Sequence, residues 1–218
     1  METTTTENTL ERSDQVAQEI MTAIAQGALK PGQRLVEVQL SRLFGVTRNK
    51  IREALRKLEH IGFVKITPRV GAVVSEVSRS DIEHLYDLLS VLDGMAVRIV
   101  TPSLMPEQVE ELEAILRKME ATDEPALFAD YNNEFHSRLC YYSENDRLMK
   151  VADNVRLSIA AFGFRSFFVP GQIDASNKEH RKILQAMKEN RPGKAEKIMR
   201  KHLLDTRNRL IKRIYKSL

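Results

Sequence analysis

The chain has 218 residues, of which 42% are hydrophobic and 29% charged, with a formal net charge of +4. That length holds one or two domains with proper cores. No apolar run approaches the roughly 18 residues that a membrane span needs, and the start METTTTENTLER lacks the basic and apolar regions of a secretory signal, so neither a membrane protein nor an exported one is expected. The single cysteine, Cys140, excludes an internal disulfide framework and fits a reducing cytoplasm.

The charge is unevenly spread. Between Lys30 and Arg79 stand eleven basic and four acidic residues, and between Ser80 and His180 nine basic and eighteen acidic. From Arg181 onward the balance returns to thirteen basic against three acidic. A basic block followed by an acidic one points to two domains with different partners, the first suited to a polyanion.

Taken in chain order, residues 1–12 read as a disordered tail. A helical pattern starts at Ser13, with Val16, Ile20 and Ile24 on one face, and stops at Gly27. The stretch Gly27-Ala28-Leu29-Lys30-Pro31-Gly32 is a turn. A short helix over 37–44 follows, with Leu40 and Leu43 expected inward, and Gly45 ends it in the left-handed region open to glycine. Thr47 caps the next helix, which carries Ile51, Ala54, Leu55 and Leu58 on one face and ends near Gly62. The runs 63–67 and 72–75 around Pro68-Arg69-Val70-Gly71 read as a β-hairpin.

Beyond Ser78 the pattern is helical throughout. Ser80-Asp81-Ile82-Glu83 reads as a capping box. It opens a helix expected to turn Leu85, Leu88, Leu89, Leu92, Ala96 and Ile99 inward. Further helices are expected over 106–119, 126–142 and 147–168. A fifth starts at a second capping box, Ser176 to Glu179, and a last one follows Pro192-Gly193 to the end. The fold class is therefore mainly α: a winged helix-turn-helix over 13–78 and an all-helical antiparallel bundle of about six helices over 79–218.

The helix, glycine turn and helix between Glu37 and His60 have helix-turn-helix spacing, with the hairpin as a wing. The outward face of the second helix offers Thr47, Arg48, Asn49, Lys50 and Arg52, and Arg69 stands at the wing tip. Arg and Asn can read base edges in the major groove, while Lys and Thr can hold phosphates. The segment from Ile20 to about Val77 resembles the GntR family of bacterial regulators, on Gly27 to Leu35, Leu40, Gly45-Val46-Thr47-Arg48 and Ile51-Arg52-Glu53-Ala54-Leu55. The resemblance implies a homodimer on a palindromic operator, with Arg48 and Arg52 at the family's DNA-contacting arginine positions. Asn49-Lys50 stands where many members have Thr-Pro, and Val38 where some have a further arginine.

Of five histidines, His60 and His84 fall off the apolar stripes of their helices. The other three fall on them: His136, one turn after Asn132; His180, in line with Ile183, Leu184 and Met187; and His202, in line with Ala195, Met199 and Thr206. Inward histidines are commonly hydrogen-bonded core residues. Three of them with an amide also suit a divalent ion such as Zn²⁺ or Ni²⁺.

The region from Ser80 to about Lys212 looks like the helical FCD ligand-binding domain of FadR-type regulators, in its shorter VanR-like form. Asn132 to Phe135-His136, Glu179-His180 and His202-Leu203 match the positions of its metal-binding members. By that resemblance the ligands are Asn132, His136, His180 and His202, and the effector is a small organic acid. Many relatives carry an arginine where this chain has Leu89, so Arg156 and Arg165 are the candidates to hold the effector's carboxylate. The reading that follows is a ligand-responsive transcription factor and not an enzyme. Its alternatives are a metal-dependent hydrolase fused to a DNA-binding module and a regulator that senses the metal itself.

Overall fold

The computed structural model describes the backbone of residues 3–215 and the side chains from Arg12 to Tyr215, apart from those at positions 25, 160, 161, 164 and 165. Two compact units emerge, one built on Met1–Val77 and the other on Ser78–Ile159 and Gly163–Leu218.

In the first unit α1 spans Thr3–Gln26, α2 Glu37–Phe44 and α3 Arg48–His60. The helix α1 begins at Thr3 and not at Ser13, since no Pro or Gly between them interrupts it. Val16, Ile20 and Ile24 are buried with Leu40, Ile51, Ala54, Leu55 and Leu58, so the three helices share one core. Leu43 is an exception to the expected pattern: it is 74% exposed, because a helix as short as α2 buries only one narrow stripe. Gly45 ends α2 at φ 62°, and its N–H donates to the Ser41 carbonyl. Thr47 caps α3 by accepting from the Lys50 N–H.

The wing is a three-stranded antiparallel sheet in the order β1-β3-β2, with β1 at Arg34–Leu35, β2 at Val64–Thr67 and β3 at Gly71–Val74. Pairing runs from Val64 opposite Val74 to Thr67 opposite Gly71, which leaves Arg69 in the turn at φ 67°. Strand β1 escapes a sequence reading because two residues carry no alternation.

The second unit contains α4 (Arg79–Val100), α5 (Pro106–Glu120), α6 (Pro125–Tyr142), α7 (Asp146–Gly163), α8 (Gln172–Lys188) and α9 (Pro192–Tyr215). Its boundaries correct three expectations. The box that opens α4 is Ser78 with Asp81, each side chain meeting the other's backbone N–H at 3.0 and 3.1 Å, two residues ahead of Ser80. The helix expected to reach Phe168 ends at Gly163 and tightens into a 3₁₀ turn over Phe164–Phe168. Ser176 does not start α8: Gly171 (φ 75°) reverses the chain after Pro170, the helix resumes at once, and Ser176 lies buried inside it.

The inward face of α4 also differs from the expected one. Ile82, Tyr86, Leu89, Asp93, Ala96, Val97 and Val100 are buried, whereas Leu88, Val91 and Met95 are each 46% exposed and Ile99 is 37% exposed. The helix is apolar on two faces, and the outer stripe was the more conspicuous. Against the inner one lies α9, at Gly94, where an added Cβ would stand 2.7 Å from Arg200 Cγ. No helix among the described residues is long and apolar enough to cross a membrane.

Candidate functional site

Two sites carry the chemistry, one on the surface of the first unit and one inside the helical core of the second. The first lies at the start of α3. Thr47, Arg48, Asn49 and Arg52 are exposed there, as is Arg69 at the wing tip. Lys50 is largely covered and pairs with Glu53 at 2.7 Å. Arg48 and Arg52, one turn apart, both lean on Glu37, the first residue of α2. Arg52 Nε donates to Glu37 Oε1 at 3.2 Å and its Nη2 to Oε2 at 3.0 Å, while Arg48 Nη2 stands 3.6 Å from Oε2. The bonds from Arg52 hold the Glu37 carboxyl below its ordinary range. An exposed helix N-terminus with cations and an amide beside it, backed by a short sheet, is a surface shaped to enter a DNA groove.

The second site is inside the other unit. His136 (α6), His180 (α8) and His202 (α9) are each at most 3% exposed, and one ring nitrogen from each lies within 4.8 Å of the others. Three helices thus deliver three imidazoles to one point; their place on the apolar stripes predicts that each turns inward, and the packing of the helices brings them together. His60 and His84 are on the surface. Asn132 sits half-buried one turn before His136 on α6.

Two carboxylates orient the cluster. Asp93, from α4, accepts from His136 Nδ1 at 2.8 Å, and Glu179 accepts from His202 Nδ1 at 2.6 Å. A carboxylate can only accept here, so both Nδ1 atoms carry the proton, and the neutral form of each ring has its lone pair on Nε2. His180 Nε2 lies 3.3 Å from His136 Nε2, and His180 Nδ1 is buried without a partner among the described residues. Each carboxylate is matched by an arginine: Arg156 Nη1 donates to Asp93 at 2.6 Å, and Arg209 donates to both oxygens of Glu179 at 3.3 and 3.2 Å.

Burial alone would raise the Asp93 carboxyl, but the His136 bond and the Arg156 charge outweigh it and hold Asp93 below its usual range. Burial likewise depresses His136 despite the Asp93 bond. It depresses His180 further, helped by the charges of its two neighbours. Neutral imidazoles in a dry pocket are what a divalent ion requires of its ligands. The donor set therefore fits such an ion, with carboxylates behind two of the three rings.

Arg156, a candidate to hold the effector's carboxylate, has a largely covered side chain whose terminal nitrogens are already engaged. It is tied to Asp93 and to Cys140 Sγ at 3.2 Å, with Asp153 at 3.3 Å. The side chain of Arg165 lies outside the described residues. Asp93 escaped the sequence reading. Its signal was available, since a carboxylate on the stripe Ile82, Tyr86, Leu89, Ala96 and Val100 is an anomaly, but that stripe was read one face off.

Each unit matches a known family. Residues 84–205 match the FCD domain model, and residues 12–74 match that of the bacterial regulatory proteins, gntR family. The HTH-type transcriptional regulator YdhC of Bacillus subtilis is 28% identical over 183 residues, 82% of either chain. A probable D-xylose utilization operon transcriptional repressor of Paenarthrobacter nicotinovorans is 25% identical over 195 residues, 88% of this chain and 85% of its own. Among solved structures, Escherichia coli McbR/YncC shares the fold with a TM-score of 0.61 at 22% identity, over 94% of this chain and 98% of its own. The chain belongs to the gntR family of bacterial regulatory proteins and carries an FCD domain, which makes it a transcriptional regulator and not an enzyme.

Proposed function

We propose that the protein is a cytoplasmic, homodimeric regulator whose hold on a palindromic operator is set by a small organic acid bound at a metal-containing site in the helical unit. The observation that carries this reading is the meeting of His136, His180 and His202, all buried, with ligand atoms within 4.8 Å. Asn132, one turn from His136, is the proposed fourth ligand. Thr47, Arg48, Asn49, Lys50, Arg52 and Arg69 are the proposed DNA contacts.

Bound at this cluster, Zn²⁺ or Ni²⁺ would supply a Lewis-acid anchor for a carboxylate. The charge balance supports an anionic effector. The three rings are uncharged ligands, Asn132 adds none, and Asp93 and Glu179 are already matched by Arg156 and Arg209. A dication there keeps its charge unbalanced among buried side chains, and buried charge is costly unless paired. Arg156, held by Asp93, orients that carboxylate and leaves the effector to the ion.

The exposed stripe Leu88, Val91, Met95 and Ile99 on α4 supports the homodimer, since apolar area of that extent on one helix face calls for cover. Two copies would then present two α3 helices to two half-sites.

Elemental analysis of the purified protein beside His136→Ala tests the metal. About one ion per chain in the parent and none in the variant is the expected result; a parent that takes up neither Zn²⁺ nor Ni²⁺ refutes the site. Operator binding measured with metal alone, and then with added carboxylates, separates a metabolite sensor from a regulator that senses the metal itself.

A further inference from the structure

The reader unit holds an acid where a DNA-binding surface has least use for one. Glu37 opens α2 with its side chain 30% exposed, beside the exposed start of α3, where phosphates would repel it. It is not spare charge. Both oxygens are engaged by Arg52, Nε to Oε1 at 3.2 Å and Nη2 to Oε2 at 3.0 Å, a parallel pair of bonds that fixes the plane of the guanidinium. Arg48, 61% exposed and 3.6 Å from the same carboxylate, has no such constraint.

A guanidinium has five N–H groups. Glu37 takes Nε–H and one hydrogen of Nη2, the side edge. Left over are both hydrogens of Nη1 and the second hydrogen of Nη2, three in all; one from each nitrogen makes up the end edge, two parallel donors that Glu37 does not occupy. Guanine offers the matching partner in the major groove, two adjacent acceptors at O6 and N7. Adenine offers one acceptor and one donor there, and so matches poorly.

We infer that Glu37 is a specificity-determining residue of the reader: it locks Arg52 with its end edge outward, so that Arg52 reads a guanine in each half-site. The inference rests on the reading that the exposed face of α3 enters the major groove. Glu37 itself touches no base in this scheme. It positions Arg52 and, by excluding other orientations, turns a general phosphate-seeking cation into a base reader. Arg48 stays free to follow the backbone.

A random pool of DNA duplexes, selected in parallel on full-length parent, Glu37→Gln, Arg52→Ala and the double variant, tests it. Gln keeps the shape and one acceptor, but its amide cannot accept from both arginine donors. In the parent's selected half-site, the guanine preference lost on Arg52→Ala identifies the base that Arg52 reads. Replacing that guanine by adenine in the selected duplex should weaken parent binding about tenfold, and Glu37→Gln binding only about twofold. Affinity of Glu37→Gln for an unselected duplex should hold or rise, because a negative charge has left the phosphate-facing surface. Placed on Arg52→Ala, the Glu37→Gln change should leave base preference untouched, which a merely structural role for Glu37 does not predict. A Glu37→Gln protein that keeps the full tenfold preference overturns the inference, as does an Arg52→Ala protein that loses no guanine. A parent that selects no sequence from the pool overturns the groove reading of α3 and the inference with it, an outcome distinct from the other two.

Discussion

Asp93→Asn is the substitution most informative about the helical unit. The side chain of Asp93 is 2% exposed and that of Arg156 is 11% exposed, so the change removes the charged partner of a cation that water barely reaches. Breaking a buried pair from one side costs about 3–5 kcal/mol. The low end applies, since Asp153 stays 3.3 Å from Arg156 Nη2 and the Asn carbonyl can still accept one of the two bonds. With a urea slope of about 2 kcal/mol per molar, a loss of about 3 kcal/mol moves the unfolding midpoint of the metal-free helical unit down by about 1.5 M, as circular dichroism would read it. Adding Arg156→Met removes the stranded charge and should restore all but about 1 kcal/mol, the cost of one unpaired amide. Metal affinity should not recover in the double variant, because His136 Nδ1 then faces a neutral acceptor, and such changes behind a ligand cost about 10–100-fold. A single variant within about 0.5 kcal/mol of the parent, on the scale of an ordinary surface change, refutes the assignment of a buried pair. A double variant as unstable as the single one refutes charge as the cause.

Three further outcomes are expected. Gly94→Val, whose Cβ would stand 2.7 Å from Arg200 Cγ, should destabilise the α4–α9 contact by about 2 kcal/mol and lower the melting temperature by about 5 °C in a thermal scan. Cys140 is buried and its thiol is pushed up to about 12 by burial and the Asp93 charge, so a colorimetric thiol reagent at neutral pH should label it only after unfolding. His136 and His180 are depressed below the ordinary 6.5, mainly by burial, so the unfolded chain takes up protons at those rings before the folded one does. Stability of the metal-free protein should therefore be constant above about pH 6.5 and fall as pH drops below it, in urea titrations across that range, whereas a flat profile down to pH 5 contradicts their burial as neutral rings.

The reader unit was legible because its signals are local. Gly45 can only be a left-handed stop and Thr47 a cap, and each fixes its neighbours within one turn. The helical unit was legible in what lies on its stripes and illegible in what crosses between helices. His136, His180 and His202 could be placed inward one helix at a time, and their convergence follows only from packing. Asp93 was missed because α4 carries apolar residues on two faces, so periodicity alone did not say which faces α9. The start of α8 was misplaced for a related reason: Ser176 has the composition of a cap, but Gly171 had already turned the chain and no end was left for Ser176 to cap. A capping box is a local pattern with many false matches inside helices, and tertiary context decides among them.

The distribution of unsatisfied atoms separates the two units by what each is for. The buried side-chain atoms without a partner, among the described residues, are Arg156 Nε, Gln172 Oε1, Asn177 Oδ1, His180 Nδ1 and Arg209 Nε, and every one of them is on α7, α8 or α9. The reader unit contributes none of these, since its working groups face solvent. In the helical unit three of the five belong to the histidine cluster: Arg156 and Arg209 stand behind its two carboxylates, and His180 is a member of it. Each such atom costs about 1–3 kcal/mol, and a core selected for stability alone would have filled those positions with apolar side chains. Three of the five therefore fall at the site, as expected when a fold departs from local consistency to keep a function. It follows that apolar replacements around the cluster should raise the stability of the metal-free protein while removing its capacity to respond, whereas the same exercise in the reader unit has no buried unpartnered atom to remove among the described residues.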